Sequence, residues 1–348
     1  MPTAVRRLRI LVYEHASGGG FVGRPVSATL AREGRGMRDA LCADLAALGH
    51  QVVVTADPRF PLPRPASREV VLAPRSGLRL VALAARVDAV WLIAPETGRL
   101  LEHVAARLAR AGVAVLGSSA AAIRAVADKR RLAARLRRLG VPHPETRIAR
   151  TAHAGRSAAS RLGLPVILKP ALGAGCEGVS LVTELRGIEP AFASVRRVAP
   201  RGPCLVQRQT PGLPASVSLL VSARQARVLA VNRQILCGNG SPVYRGGLTP
   251  FAHPLARRAA ELARRACEGV EGLRGYVGVD VVLGERDVTV IEVNPRLTTS
   301  YLGLRRAFDR NLAGSILAAC RSGGLQRMPR AVRQVRFSVA GLVGVAAP

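Results

Sequence analysis

The sequence predicts an α/β protein, with a parallel α/β domain over about residues 1–120 and smaller α+β units after it. Two observations carry this class. In the first third of the chain, short apolar runs alternate with stretches of helical spacing, which is how a parallel sheet with crossover helices reads. A helical stretch is then stopped at Gly140 and Pro142. Glycine and proline that close together end a helix, and a new unit starts there.

The first element is the apolar run 8–13, followed by Ser17, Gly18, Gly19 and Gly20 and then by helical spacing over 33–48 that ends at Gly49. This order gives strand, glycine loop and helix. Further strands are expected at 51–55, 89–93 and 113–116, with helices at 78–85 and 99–111, while the Pro/Arg-rich stretch 58–74 reads as a loop. Two helices come next, at 120–126 and 128–139. Residues 142–207 read as a small α+β lid with strands at 166–168, 179–182 and 204–207. Beyond it lie strands at 216–222 and 228–231, a helix at 254–267, strands at 278–283 and 288–293, and a helix at 311–320. The expected division is therefore 1–120, 121–320 and a C-terminal segment 321–348.

Composition removes several function classes. The longest apolar stretches, such as 87–94, fall well short of the ~20 residues of a membrane helix. The basic start meets Glu14 and His15 before a signal-peptide apolar region can form. A soluble, cytoplasmic protein with no membrane partner is expected. Cys42, Cys176, Cys204, Cys237, Cys267 and Cys320 form no CxxC pair and the six histidines are dispersed, which argues against a zinc site or a disulfide framework. A net charge of +30 raises the question of nucleic acid. Arginines are spread over nearly every segment, however, and only 3% of residues are aromatic, so base stacking has little to work with. The charge reads as solvated arginine-rich helix faces, with no specific nucleic-acid partner expected and nonspecific polyanion binding as a by-product. A homodimer is compatible with the sequence.

Two constellations carry chemistry. Lys169 ends a strand and leads into a loop with Gly173, Gly175 and Gly178. Glycines so placed let backbone N–H groups turn toward a phosphate, and the lysine adds a point charge. The glycines alone also fit a plain strand connection. The second constellation is Asp280 on one strand and Glu292 and Asn294 on the next, joined by the polar turn 284–287. On paired antiparallel strands Asp280 and Glu292 can face one another, and Glu292 and Asn294 share a face. Two carboxylates and an amide oxygen are hard ligands that suit Mg²⁺ (or Mn²⁺) bound to a nucleotide. A charged residue between Ile and Val would be costly to bury without a partner. Of 52 basic residues only Lys129 and Lys169 are lysine. A compact ammonium fits between phosphate oxygens where a planar guanidinium needs a wider fork. Glu14, Ser17, Gly18 and Gly19 end the first strand, where open α/β sheets bind ligands, so they are candidate substrate residues, with a tight turn as the alternative.

In their order and spacing, Lys169 with its glycine loop, Asp280 and the strand Glu292-Val293-Asn294-Pro295-Arg296 resemble the ATP-grasp superfamily over roughly residues 120–320. Asp128-Lys129, followed by Leu132, Leu136, Gly140-Val141-Pro142 and Pro144, is similar to the family's first nucleotide-binding lysine. The resemblance implies an ATP-grasp fold: an N-terminal parallel α/β (pre-ATP-grasp) domain and two α+β subdomains clamping ATP. It implies a ligase that activates a carboxylate as an acyl phosphate and joins it to an amine, with ATP and Mg²⁺ as cofactors. Lys129, Lys169, Gly173, Gly175, Gly178, Gln207 and Arg208 would hold the nucleotide, with Leu205 to Gln209 as the adenine hinge. Asp280, Glu292 and Asn294 would hold the metal, and Arg296 with Lys169 would be catalytic, Arg296 steadying the acyl phosphate. Many members carry Glu at the hinge and a second acid for the ribose, whereas this chain has Gln207 and then Gly212-Leu213-Pro214-Ala215-Ser216.

A closer resemblance lies in Tyr13-Glu14-His15-Ala16-Ser17-Gly18-Gly19-Gly20, Arg32-Glu33-Gly34-Arg35-Gly36-Met37, Asn232-Arg233-Gln234 and Leu297-Thr298-Thr299-Ser300-Tyr301. Together these resemble the tyramine-glutamate ligase family of methanofuran biosynthesis and its bacterial relatives. That implies small-molecule carboxylate and amine substrates, glutamate with tyramine or tyrosine. Thr299, Ser300 and Tyr301 become substrate candidates, Tyr301 as the wall of a phenol slot or as a core residue. The rival readings are another ATP-grasp amino-acid ligase, acting on a dipeptide or a protein tail, and a basic nucleic-acid-binding protein on a decayed fold.

Overall fold

The computed structural model describes residues 7–61, 69–73, 79–222, 225–238, 240–321, 328–339 and 343–345. The chain opens with β1 (Arg9–Glu14), α1 (Ala28–Ala47), β2 (Gln51–Ala56), β3 (Glu69–Leu72), α2 (Leu80–Ala84), β4 (Ala89–Ile93), α3 (Leu100–Arg110) and β5 (Val115–Leu116). These strands form a parallel sheet in the order β3-β2-β1-β4-β5. Every residue of β4 is buried, and all of β1 except its first, as continuous apolar runs require when helices cover both faces of a sheet.

Two helices follow, α4 (Ala120–Ala127) and α5 (Lys129–Arg138), parted by Asp128 alone. Asp128 is extended (φ −77°, ψ 108°), which ends the first helix, and its carboxylate accepts the Arg130 backbone N–H at 3.0 Å to cap the second. The Lys129 backbone N–H donates to the carbonyl of Ala171 at 3.1 Å. Lys129 is thereby held against the segment that carries the glycine loop.

The lid region contains β6 (Thr146–Ala149), α6 (Ala152–Leu162), β7 (Val166–Pro170), β8 (Ser180–Val182), α7 (Ile188–Val198) and β9 (Cys204–Arg208). Its antiparallel sheet runs β6-β9-β7-β8 over a core of its own that includes Ala159, Leu162, Leu168 and Val195. The largest sheet is also antiparallel. It is built from β10 (Leu213–Val221), β11 (Ala226–Cys237), β12 (Val243–Thr249), β13 (Gly275–Leu283), β14 (Val288–Asn294), β15 (Val335–Ser338) and β16 (Val343–Val345), in the order β14-β13-β10-β11-β12-β15-β16. Alternate residues face opposite sides. Leu219 and Val277 pack in one cluster with Leu262 of α8 (Ala256–Cys267). Leu220 and Tyr276 pack in another with Leu304 of α9 (Ser300–Ala307) and Ile316 of α10 (Leu312–Arg321). That second cluster continues into Met37, Leu41 and Leu45 of α1, so the parallel sheet and the large sheet share one core, and α1 is fixed beside the site.

Several elements differ from the sequence reading. The expected loop 58–74 contains the edge strand β3, although 62–68 and 74 lie outside the described residues. The helix expected at 33–48 starts at Ala28, where Ser27 caps it, and the strand expected at 228–231 runs from Ala226 to Cys237. β12 was not foreseen, because Gly246 and Gly247 interrupt its pattern. At Gly246 (φ 140°) a Cβ would sit 2.1 Å from the Phe337 carbonyl oxygen, so β15 can pair only with a glycine there. No helix among the described residues is long and apolar enough to cross a membrane.

Candidate active site

The lid and the large sheet face each other across a cleft of about 430 Å³, lined by Lys129, Lys169, the glycine loop, Gln207, Asp280, Glu292 and Asn294 among others. That volume falls in the range of small-molecule sites. Its floor follows from strand register. Asp280 of β13 and Glu292 of β14 are direct partners, with a bulge just after them. The amide nitrogen of Asn294 donates to Oδ2 of Asp280 at 3.2 Å, and Nε2 of Gln234 on β11 donates to Oδ1 at 2.9 Å. Lys129 Nζ lies 2.8 Å from Oε2 of Glu292 and donates to the Gly173 carbonyl at 3.3 Å.

Charge is crowded here. Burial first and the neighbouring Glu292 second push the Asp280 carboxyl well above the usual carboxylate range. Burial also works against Glu292, but Lys129 and Lys169 more than offset it and bring its carboxyl down to about 2. Two carboxylates that cannot both ionise comfortably, with an amide beside them, form a donor set that a hard divalent cation would satisfy. Among the described residues, no three His, Cys, Asp or Glu gather as a metal cluster, so the candidate set is two acids and one amide. Lys169 is buried, and its ammonium makes no ion pair or hydrogen bond among the described residues. Burial first and Lys129 second bring it down to about 8. A buried ammonium near Glu292 and Asp280 but bonded to neither fits a ligand that supplies an anion.

The glycine loop over residues 173–178 closes the top of the cleft. Gly175 and Gly178 are at φ 64° and 71°, and Cys176 between them is at φ 61°, an uncommon conformation for a residue with a Cβ. At the hinge, the Gln207 side chain donates to Thr146 Oγ1 at 2.8 Å, and Arg208 reaches Glu145 at 3.3 Å. Both residues line the cleft. Arg296 lines it too, but its guanidinium is clamped by Glu96 through two bonds of 2.8 Å.

The substrate candidates divide. Thr299 and Ser300 line the cleft. Tyr301 does not: it is fully buried and donates its hydroxyl to Asp44, which also binds Arg305. It sits in the core, the second of the two roles that the sequence allowed. Glu14, Ser17, Gly18 and Gly19 are not among the residues lining the cleft, although the Glu14 carboxyl packs against Gly34, next to Glu33. The Glu14 carboxylate accepts from the backbone N–H groups of Ala16 and Ser17 and from the Ser17 hydroxyl at 2.6–2.9 Å. A Cβ on Gly18 would fall 2.2 Å from the Glu14 carbonyl oxygen. The loop is a tight turn closed on its own carboxylate, the alternative that the sequence left open. The sequence reading did not assign Gln234, Tyr244 of β12 or Glu33 of α1 to the site, yet all three line the cleft. Gln234 was detectable, since it sits two residues after Asn232 on a strand, and Glu33 was detectable as an acid on the core-facing side of α1.

Comparison with known proteins bears on the family and the fold. The family model of an ATP-grasp domain matches residues 126–300, and that of a pre-ATP-grasp domain matches residues 50–123. The chain is 29% identical over 206 residues to the carbamoyl phosphate synthase large chain of Thermomicrobium roseum, covering 57% of this chain and 19% of that one. It is 37% identical over 101 residues to the tyramine–L-glutamate ligase of Methanocaldococcus jannaschii, covering 29% and 32%. These matches span a fifth to a third of the relatives' own length. A solved structure from Archaeoglobus fulgidus, described as of the ATP-grasp superfamily, superposes with a TM-score of 0.71 at 26% identity, covering 94% of this chain and 92% of that one.

Proposed function

The chain belongs to the ATP-grasp family, and from that premise we propose that it is an ATP-dependent carboxylate–amine ligase working through an acyl phosphate. The observation that supports this reading most is the pairing, in one cleft, of the chain's two lysines with Asp280, Glu292 and Asn294. Lys169 and Lys129 hold the polyphosphate, and the loop around Gly173, Gly175 and Gly178 covers it with backbone N–H groups. Asp280, Glu292 and Asn294 would hold a divalent cation, which supplies neutralisation of the charge on the phosphates. Lys129 gives up its bond to Glu292 as phosphate oxygens arrive, and the ammonium passes from one anion to another without leaving the cleft. Gln207 and Arg208 edge the base site. Arg296, oriented by Glu96, presents a fixed positive charge to the activated carboxylate. The lid excludes water, which would otherwise hydrolyse an acyl phosphate.

The finer reading is glutamate as the carboxylate and tyramine or tyrosine as the amine. It rests on the tyramine–L-glutamate ligase relative and on the motifs around Glu33 and Thr299. With Tyr301 in the core, the groups available to a phenol are Tyr244, Thr299 and Ser300. The two lysines and the acid pair remain assembled, which disfavours a decayed fold that only binds nucleic acid. The test is an ADP-release screen with MgATP, glutamate and a panel of amines. Tyramine or tyrosine should release ADP and give a product whose mass is that of both substrates less water. Phenethylamine should be rejected by ~10⁴-fold if the site hydrogen-bonds the hydroxyl. ADP release with other amines and neither phenolic amine would overturn the acceptor while keeping the ligase.

A further inference from the structure

We propose that Glu33 receives the acceptor amine, binding it as an ammonium in the cleft and taking a proton from it before it attacks the acyl phosphate. The inference rests on the ligase reading above and adds a residue to it. Glu33 comes from α1, far in sequence from Lys129 and Lys169, and lines the same cleft as Lys169, Asn294 and Thr299. It is 9% exposed, and its Oε1 is buried with no hydrogen-bond partner. A carboxylate oxygen left so is costly unless something else donates to it. None of the residues around it does so. Glu14 is held by its own turn, Arg296 is committed to Glu96, and the other charged or titratable groups that act on Glu33 or feel it are Glu177, Cys176 and Tyr244. Burial raises its carboxyl to about 7, with Arg296 opposing and Glu177 adding, the range in which a carboxylate exchanges protons efficiently near neutral pH. A cationic amine is the donor that matches a buried carboxylate facing a cleft.

The step balances. The ammonium gives one proton to Glu33 and becomes a neutral amine, whose nitrogen bonds to the carbonyl carbon of the acyl phosphate. The carbon–oxygen bond to phosphate breaks, its electron pair leaves on the phosphate, the phosphate takes the second proton, and the amide keeps the third hydrogen.

The experiment separates the two half-reactions. With MgATP and glutamate, hydroxylamine, which is already neutral at pH 7.5, traps the acyl phosphate as a hydroxamate. Tyramine, a cation at that pH, gives the amide. Glu33→Gln should lower amide formation by ~100-fold or more and leave hydroxamate formation within about 3-fold of wild type, the isosteric change sparing the first step. The wild-type amide kcat/KM should rise through about pH 7, and that limb should be absent from the Glu33→Gln residual rate. Unchanged amide formation in Glu33→Gln overturns the proposal, as does an equal fall in both products. Absence of ADP and hydroxamate from the wild type overturns the reading of glutamate as the carboxylate on which the test stands, a failure seen without any variant.

Discussion

Replacing Glu33 by Gln should stabilise the ligand-free protein, and only toward alkaline pH. In the fold its carboxyl is raised from an ordinary 4.5 to about 7 because burial penalises the charged form more than Arg296 rewards it. The folded state therefore holds a proton that the unfolded chain has lost anywhere between those values. The stability that comes with the protonated carboxyl is full below about pH 4.5 and is lost as pH rises through about 7. At ~1.4 kcal/mol per pH unit of separation, the wild type gives up about 3 kcal/mol across this window. The amide of the Glu33→Gln variant cannot titrate and gives up nothing. By the per-residue unfolding entropy, for a chain of 348 residues that is roughly 4 °C in unfolding midpoint. Thermal unfolding of both proteins at pH 4.5 and pH 8 supplies the comparison, and the difference between variants cancels every other titrating group. The Gln variant should match the wild type within about 1 °C at pH 4.5 and exceed it at pH 8. A difference that is the same at both pH values would refute the placement of Glu33 as a buried carboxyl without a partner.

Asp280→Asn and Glu292→Gln should each abolish turnover. Because burial and then Glu292 push the Asp280 carboxyl up, the Asn variant should also unfold no earlier than wild type; a lowered midpoint would show that the acid pair serves the fold. Lys169→Arg should lose nucleotide affinity almost as fully as Lys169→Ala, since a planar fork does not replace a point donor; near-normal ADP binding by calorimetry in the arginine variant would contradict this. Tyr301→Phe should cost about 1.5–3 kcal/mol of stability through the lost bond to Asp44 and leave KM for the amine unchanged, whereas a raised KM would return Tyr301 to the substrate slot.

The parallel sheet and the acid strands were legible because their physics is local. Apolar runs such as 89–93 can only be covered strands, and a period of two puts Glu292 and Asn294 on one face. The break at Asp128 was equally visible, since a capping residue announces itself. What lies between elements was not legible. The loop at Ser17 to Gly20 has the composition of a ligand-binding turn, and only the structure reveals Glu14 closing it from within. Tyr301 sits next to two residues that line the cleft, but one step along the start of a helix turns a side chain from the site to the core, where Asp44 from α1 receives it. Glu33 was visible as an acid in α1, but its place in the cleft was not. It stands in a helix of the parallel-sheet region, far in sequence from the nucleotide residues, and reaches the cleft only because α1 shares a core with α9 and α10.

The ligase reading turns on whether a carboxylate oxygen is transferred to phosphate. Incubation of the protein with MgATP, an amine accepted in the ADP-release screen and its carboxylate partner labelled with ¹⁸O, followed by mass spectrometry of the inorganic phosphate, measures this directly. An acyl phosphate predicts one ¹⁸O in each phosphate released, with ADP as the nucleotide product and one amide per ADP. Unlabelled phosphate, or AMP with pyrophosphate, would contradict the mechanism built on Lys129, Lys169 and the Asp280–Glu292 pair.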